Sequence, residues 1–340
     1  MVKPIEPSIA ILVVWILIYI YSMAGSVDFG ASFWAMIYRN HETQAGNMAN
    51  RFLSPTWEIT NTILVLMVVA VVAFFPQAAF MFGTILLVPL SLILILILFR
   101  SSFMVFSYSV EGFQRTLKWV SGLTGLLVPV LLISALPITE GGFVTIQGGY
   151  ETLQMTKWLS SPSVYIYMLF GLTSELFLSS LFLADYARES EERDAYQIYR
   201  KQAILFGPLS LLMAALTVPL MEPEAAWLIS NLEANRGWFL FSVVLFVIGY
   251  SALWWSKTGK PRVAVVFVAS QYAVATFAYG KSHLPYMIYP YLKVDDAFTN
   301  LDTFYSLLSV LIVGMAILLP GFLIFWRLFL KDRRYLQKKE

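Results

Sequence analysis

Nine stretches of mostly apolar residues recur along this chain, each close to the twenty or so that an α-helix needs to cross the roughly 30 Å hydrocarbon core of a bilayer. The predicted spans are Ser8–Ile37, Trp57–Phe75, Gln77–Phe99, Leu117–Pro137, Ser163–Ala187, Gln202–Met221, Gly237–Trp255, Val263–Gly280 and Thr303–Leu328. Lipid offers no partner to backbone N–H and C=O groups, so each span must satisfy its own by coiling into a helix. The fold class that follows is an all-α integral membrane protein of about nine transmembrane helices.

The composition points the same way. Of 340 residues, 59% are hydrophobic and 13% are charged, about half the charge that a soluble surface carries. The chain has no cysteine, which excludes thiolate-held metals, iron–sulfur clusters, disulfides and thiol nucleophiles. A net charge of +2, with no basic patch interleaved with aromatics, argues against a nucleic-acid partner; the partner surface is the lipid bilayer. The first apolar stretch is too long for a cleaved signal peptide and Lys3 is balanced by Glu6, so it reads as a retained first helix.

Orientation follows from the basic residues. Eighteen of the 23 Lys and Arg fall in or beside residues 38–56, 100–116, 188–201, 256–262 and the C-terminal tail, leaving Lys3, Lys157, Arg236, Lys281 and Lys293 on the other side. The positive-inside rule then puts the N-terminus outside and the C-terminus in the cytoplasm. The expected organisation is a first four-helix bundle over 1–137, an external loop over 138–162 and a second four-helix bundle over 163–280. Residues 281–340 supply a peripheral ninth helix and a basic cytoplasmic tail. A weak internal repeat relates the bundles: Gly25-Ser26-Val27-Asp28, followed by Tyr38-Arg39, is similar to Gly171-Leu172-Thr173-Ser174-Glu175, followed by Tyr186-Ala187-Arg188. The charged stretch Arg188–Lys201 is expected to extend the fifth helix into water.

Acids inside spans cost about 2.5–3.5 kcal/mol each on insertion scales, so they are functional candidates by default. Asp28 lies in the inner half of the first helix, Glu58 in the first turn of the second and Glu175 near the middle of the fifth. Asp28 and Glu58 are on consecutive helices and are expected to be neighbours, one deep and one near the cytoplasm, as a proton-uptake path requires. Each acid also has a structural reading. Ser54-Pro55-Thr56-Trp57-Glu58 looks like an N-cap, a first-position proline and an acid favoured by the helix dipole. Glu175 has Ser174 and Ser179 as possible local partners. Neither His41 nor His283 lies inside a span and the methionines are scattered, so this chain is expected to bind no haem iron and no metal. It carries no catalytic residues of its own on this reading. The residue types alone leave three functions open: a proton-conducting subunit, a secondary transporter using intramembrane acids, and a membrane scaffold.

The order of residues in the first three helices narrows this. Gly25-Ser26-Val27-Asp28-Phe29-Gly30 resembles the Gly-Phe-Asp-Phe-Gly signature of subunit II of the cytochrome bd quinol oxidases. Pro55-Thr56-Trp57-Glu58-Ile59-Thr60-Asn61 resembles that family's Pro-x-Trp-Asp-Gly-Asn-Glu segment, and Phe75-Pro76, Pro89 and Phe99-Arg100 follow the order and spacing of its third helix. The similarity is most specific over residues 22–106. It departs from the pattern at Glu58, which replaces an Asp, at Ile59, Thr60 and Asn61, and at Val105 and Ser107, where Glu and Arg are usual. The resemblance implies a haem-bearing partner, subunit I, which holds haems b and d and oxidises quinol, and it leaves room for a small single-span subunit. This chain would stabilise that partner and conduct protons from the cytoplasm toward the oxygen-reduction site, with Asp28, Glu58 and Glu175 as pathway candidates.

Overall fold

The structure, a computed structural model, describes residues 4–39, 44–109, 114–255 and 259–330. The chain runs through α1 (Glu6–Ile37), α2 (Ala45–Phe74), α3 (Pro76–Ile85), α4 (Leu87–Ser109), α5 (Gln114–Ile133) and α6 (Ala135–Glu140). A hairpin of β1 (Val144–Gln147) and β2 (Tyr150–Leu153) and the short α7 (Met155–Ser160) lead into α8 (Pro162–Glu189), α9 (Arg193–Ala234), α10 (Arg236–Ser251) and α11 (Pro261–His283). A small pair, β3 (Tyr286–Ile288) and β4 (Leu292–Lys293), and α12 (Val294–Ala297) precede α13 (Leu301–Leu330). Among the described residues eight helices are long and apolar enough to cross a membrane, and α10, with 16 residues, is a shorter apolar helix. The architecture is an all-helical membrane protein of eight to nine long apolar helices.

The helices pair in sequence order. α1 packs on α2 and α4 on α5; α8 packs on α9 and α10 on α11. α1 also meets α5 and α8, so it stands at the centre, while α13 leans on α2 and touches α1 from the periphery. Small residues let the central helices approach. A Cβ at Gly30 of α1 would overlap the side chain of Ser179 on α8, and one at Gly122 of α5 would lie 2.6 Å from the Met36 Cβ of α1. This is the close backbone approach by which helices associate in lipid, where apolar surface alone gives no preference for helix over lipid.

Several spans differ from their sequence reading. α2 begins at Ala45, eleven residues before Thr56, so Ser54 and Pro55 lie within a helix rather than capping one. The third span breaks in two at Leu86: Pro89 can donate no N–H to Ile85 and its ring crowds that carbonyl, so α3 ends there. α9 runs on to Ala234 through a kink at Ala225, just after Pro219 and Pro223. The charged stretch after α8 does not prolong that helix; the chain turns at Ser190–Glu192, and Arg193 starts α9. The 138–162 segment is more than a surface turn region, since Glu140, Phe143 and Trp158 are buried. Gly148 and Gly149, with φ of 61° and 87°, form the hairpin's two-residue turn, a backbone shape that side chains with a Cβ resist. His41 and the basic tail from residue 331 lie outside the described residues.

Candidate functional site

Asp28 sits on the face of α1 that is turned toward α2 and α4, and it has no exposed surface. Its Oδ2 meets the Arg100 Nη2 of α4 at 2.8 Å. Its Oδ1 accepts from the Thr56 hydroxyl of α2 at 3.2 Å. Arg100 is itself 1% exposed. Its Nε and Nη2 donate to the Ser32 hydroxyl at 3.2 and 2.9 Å, and Nη2 also donates to the Asp28 carbonyl at 3.3 Å. The guanidinium lies over the Phe29 ring, 4.6 Å from its centroid. One turn of α1 thus offers an anion, a hydroxyl, a carbonyl and a ring face to a single cation, the forked arrangement for which arginine is suited.

Arg100 therefore belongs inside the bundle and not with the basic residues at its end, where the charge census placed it. A lone intramembrane acid is costly, and such residues face the bundle interior and pair with one another there. The signal was present in the sequence: Phe103-Met104-Val105-Phe106 continue the apolar run for a further turn beyond Arg100.

Asp28 and Glu58 do not meet. Thr56 takes the position beside Asp28, and Glu58, two residues on, projects from the outer, exposed face of α2 at about the same level. The other residues of the motif serve packing: the Trp57 indole donates to the Ser101 hydroxyl at 3.3 Å, and Gly25 admits Phe29 and Thr60 at contact distance. Pro55 continues the helix.

Glu175 lies across from the pair on α8. It is fully buried, neither of its carboxyl oxygens has a protein hydrogen-bond partner, and the charge of Arg100 acts on it. Neither serine proposed as its partner supplies a bond, because the Ser179 hydroxyl donates instead to the Glu175 backbone carbonyl at 2.6 Å. On the side of this cluster nearest the α1–α2 connection, a cavity of about 10 Å³ is lined by Ser32, Asn50, Lys118 and Ser121 among others. That is about the room one water needs.

A third buried carboxyl, Glu140, has no counterpart in the sequence reading. Its Oε1 accepts from the hydroxyls of Tyr167 on α8 and Tyr279 on α11, both at 2.5 Å, and its carbonyl accepts from the Trp227 indole of α9 at 2.7 Å. Glu224, beside it, accepts from Ser161 at 2.8 Å. His283, expected just beyond the eighth span, is the last residue of α11 and is buried against Trp227 and Tyr279. Among the described residues no cluster of three His, Asp or Glu side chains is placed to hold a metal.

A central helix carrying an ion-paired acid, within a bundle of eight to nine long apolar helices, defines a polytopic membrane protein with a polar cluster in its core. The family model for cytochrome bd terminal oxidase subunit II matches residues 6–329. The chain is 46% identical over 339 residues, 98% of each chain, to a Bacillus subtilis (strain 168) protein named as a cytochrome bd menaquinol oxidase subunit II. The structure superimposes with a TM-score of 0.82 on a chain of the bd oxidase from Geobacillus thermodenitrificans, at 32% identity, covering 97% of this chain and 100% of that one. This chain belongs to the cytochrome bd oxidase subunit II family and is a multi-pass membrane subunit of an oxygen-reducing quinol oxidase complex.

Proposed function

We propose that this chain is the haem-free half of its oxidase, paired with a subunit I that holds haems b and d, and that it conducts protons to the oxygen-reduction site. Reduction of one O₂ to two waters consumes four protons and four electrons. Taking those protons from the cytoplasm, while quinol releases its own outside, builds a protonmotive force without a pump. The basic end of the bundle is the cytoplasmic one on this reading. The small cavity is the observation that carries it: Lys118, Asn50, Ser121 and Ser32 line it together with Ala35, Leu53 and Met104, and Ser32 is bonded to the guanidinium that pairs with Asp28. Ser32 accepts from Arg100 and donates to the Asp28 backbone carbonyl at 3.3 Å, so the cavity ends at a residue that frames the ion pair.

Glu58 fits the same reading on the far side of α2. A carboxyl on the outer face of a span is unfavourable against lipid, so subunit I is placed over it, at the level of Asp28. The division into two four-helix bundles with a peripheral ninth helix is supported by the matching pairings of α1–α2 with α8–α9 and of α4–α5 with α10–α11. The Bacillus subtilis relative favours menaquinol as the electron donor of the complex, a choice that the residues alone leave open.

The test is Asp28→Asn in the assembled oxidase. Conduction through Asp28 requires slowed oxygen uptake at normal haem content. Unchanged uptake at full haem content overturns the conducting role, and haem loss with proportionate activity loss points to a purely structural pair.

A further inference from the structure

Glu175 is buried in this core with neither carboxyl oxygen meeting a hydrogen-bond partner in the protein. Asp28 uses its oxygens on Arg100 and Thr56. Glu58 is exposed on α2. Glu175 has no exposed surface, and at its level α1 and α8 are pressed together through Gly30, where a Cβ would lie 3.2 Å from the Glu175 carbonyl. The Arg100 Nε and Nη2 donors are directed to Ser32 and Asp28.

These contacts decide how charge is shared. The cluster contains one cation and two carboxyls. With both carboxyls ionised it would carry an uncompensated negative charge in a space closed to solvent, at a cost of several kcal/mol. With one proton bound the cluster is neutral. The Asp28 oxygens already meet a guanidinium and a hydroxyl donor, which suit an anion; the Glu175 oxygens meet no donor at all.

We propose that Glu175 is a proton-binding site of the subunit core, carrying one proton while Asp28 remains the anion paired with Arg100. This deepens the conducting role by naming the acid on which a proton rests, and it stands on contacts that are independent of that role. A carboxylic acid shows a C=O stretch that its carboxylate lacks, and the band moves when the proton is exchanged for deuterium. Infrared difference spectra of the purified oxidase should therefore lose one deuterium-sensitive carboxylic-acid band in Glu175→Gln and keep it in Glu140→Gln. If Glu175→Gln does not assemble, Glu175→Asp should shift the band and retain it. Retention of every native carboxylic-acid band in Glu175→Gln, or an unshifted band in Glu175→Asp, overturns the proposal. A lost band with unchanged oxygen uptake upholds the proton-binding site and overturns conduction through it.

Discussion

Two buried carboxyls in this subunit are held in opposite ways. Asp28 is compensated by a full cation: Arg100 from α4 reaches α1 and fastens it with three kinds of contact, while Thr56 adds α2. Glu140, at the other end of the bundle, is held by two phenol hydroxyls on one oxygen, with an indole on its carbonyl, and it joins α6 to α8, α9 and α11. The first arrangement is all-or-none, since removing one partner leaves a buried charge alone. The second is graded, since each neutral donor can be removed while another remains. A pair buried in this way fixes which helices meet without any assurance that it stabilises more than apolar residues of the same volume would.

Variants can break this comparison, and the largest effect is expected at Arg100. Arg100→Met leaves Asp28 unpaired and should cost about 3–5 kcal/mol, read as loss of haem-loaded complex on purification in mild detergent. Near-normal yield would show that Asp28 does not depend on its cation. Next is the double variant Asp28→Asn with Arg100→Gln. Removing both charges should recover much of the assembly lost in Arg100→Gln alone, because the two effects are non-additive when the residues are coupled; additive losses would dissolve the pair as a unit. Tyr279→Phe removes one of two phenol donors from Glu140 and should cost about 1.5–3 kcal/mol, seen as a lower thermal midpoint of the complex with haem content intact at ambient temperature. A loss as large as that of Arg100→Met would make the two sites alike. The smallest effect on assembly is expected from Glu58→Gln, a near-isosteric change on the outer face of α2. It should leave yield unchanged and lower oxygen uptake only if the partner's proton route passes there.

Much of the site was legible in the residues, but not its connections. The cost of an acid in lipid singled out Asp28, Glu58 and Glu175 from their positions alone, but not the cation that pairs with Asp28. Arg100 was counted with the end of the bundle because it follows an apolar run of ordinary span length; the break at Leu86 starts a new helix at Leu87 that runs on past Arg100 to Ser109. Glu140 was hidden by its glycine-rich surroundings, which read as a surface turn, although Gly141 and Gly142 follow a helical turn packed on α8 and α9.

What the sequence determined by itself is the set of long apolar helices and the acids within them, because span length and insertion cost are local properties of consecutive residues. Which faces of those helices meet was decided only by the tertiary structure. In lipid, outward and inward positions are both apolar, so the pattern along a helix does not mark its buried side. The contact that unites the core joins residues 72 positions apart, through a side chain whose partner depends on how α4 packs on α5 and α5 on α1.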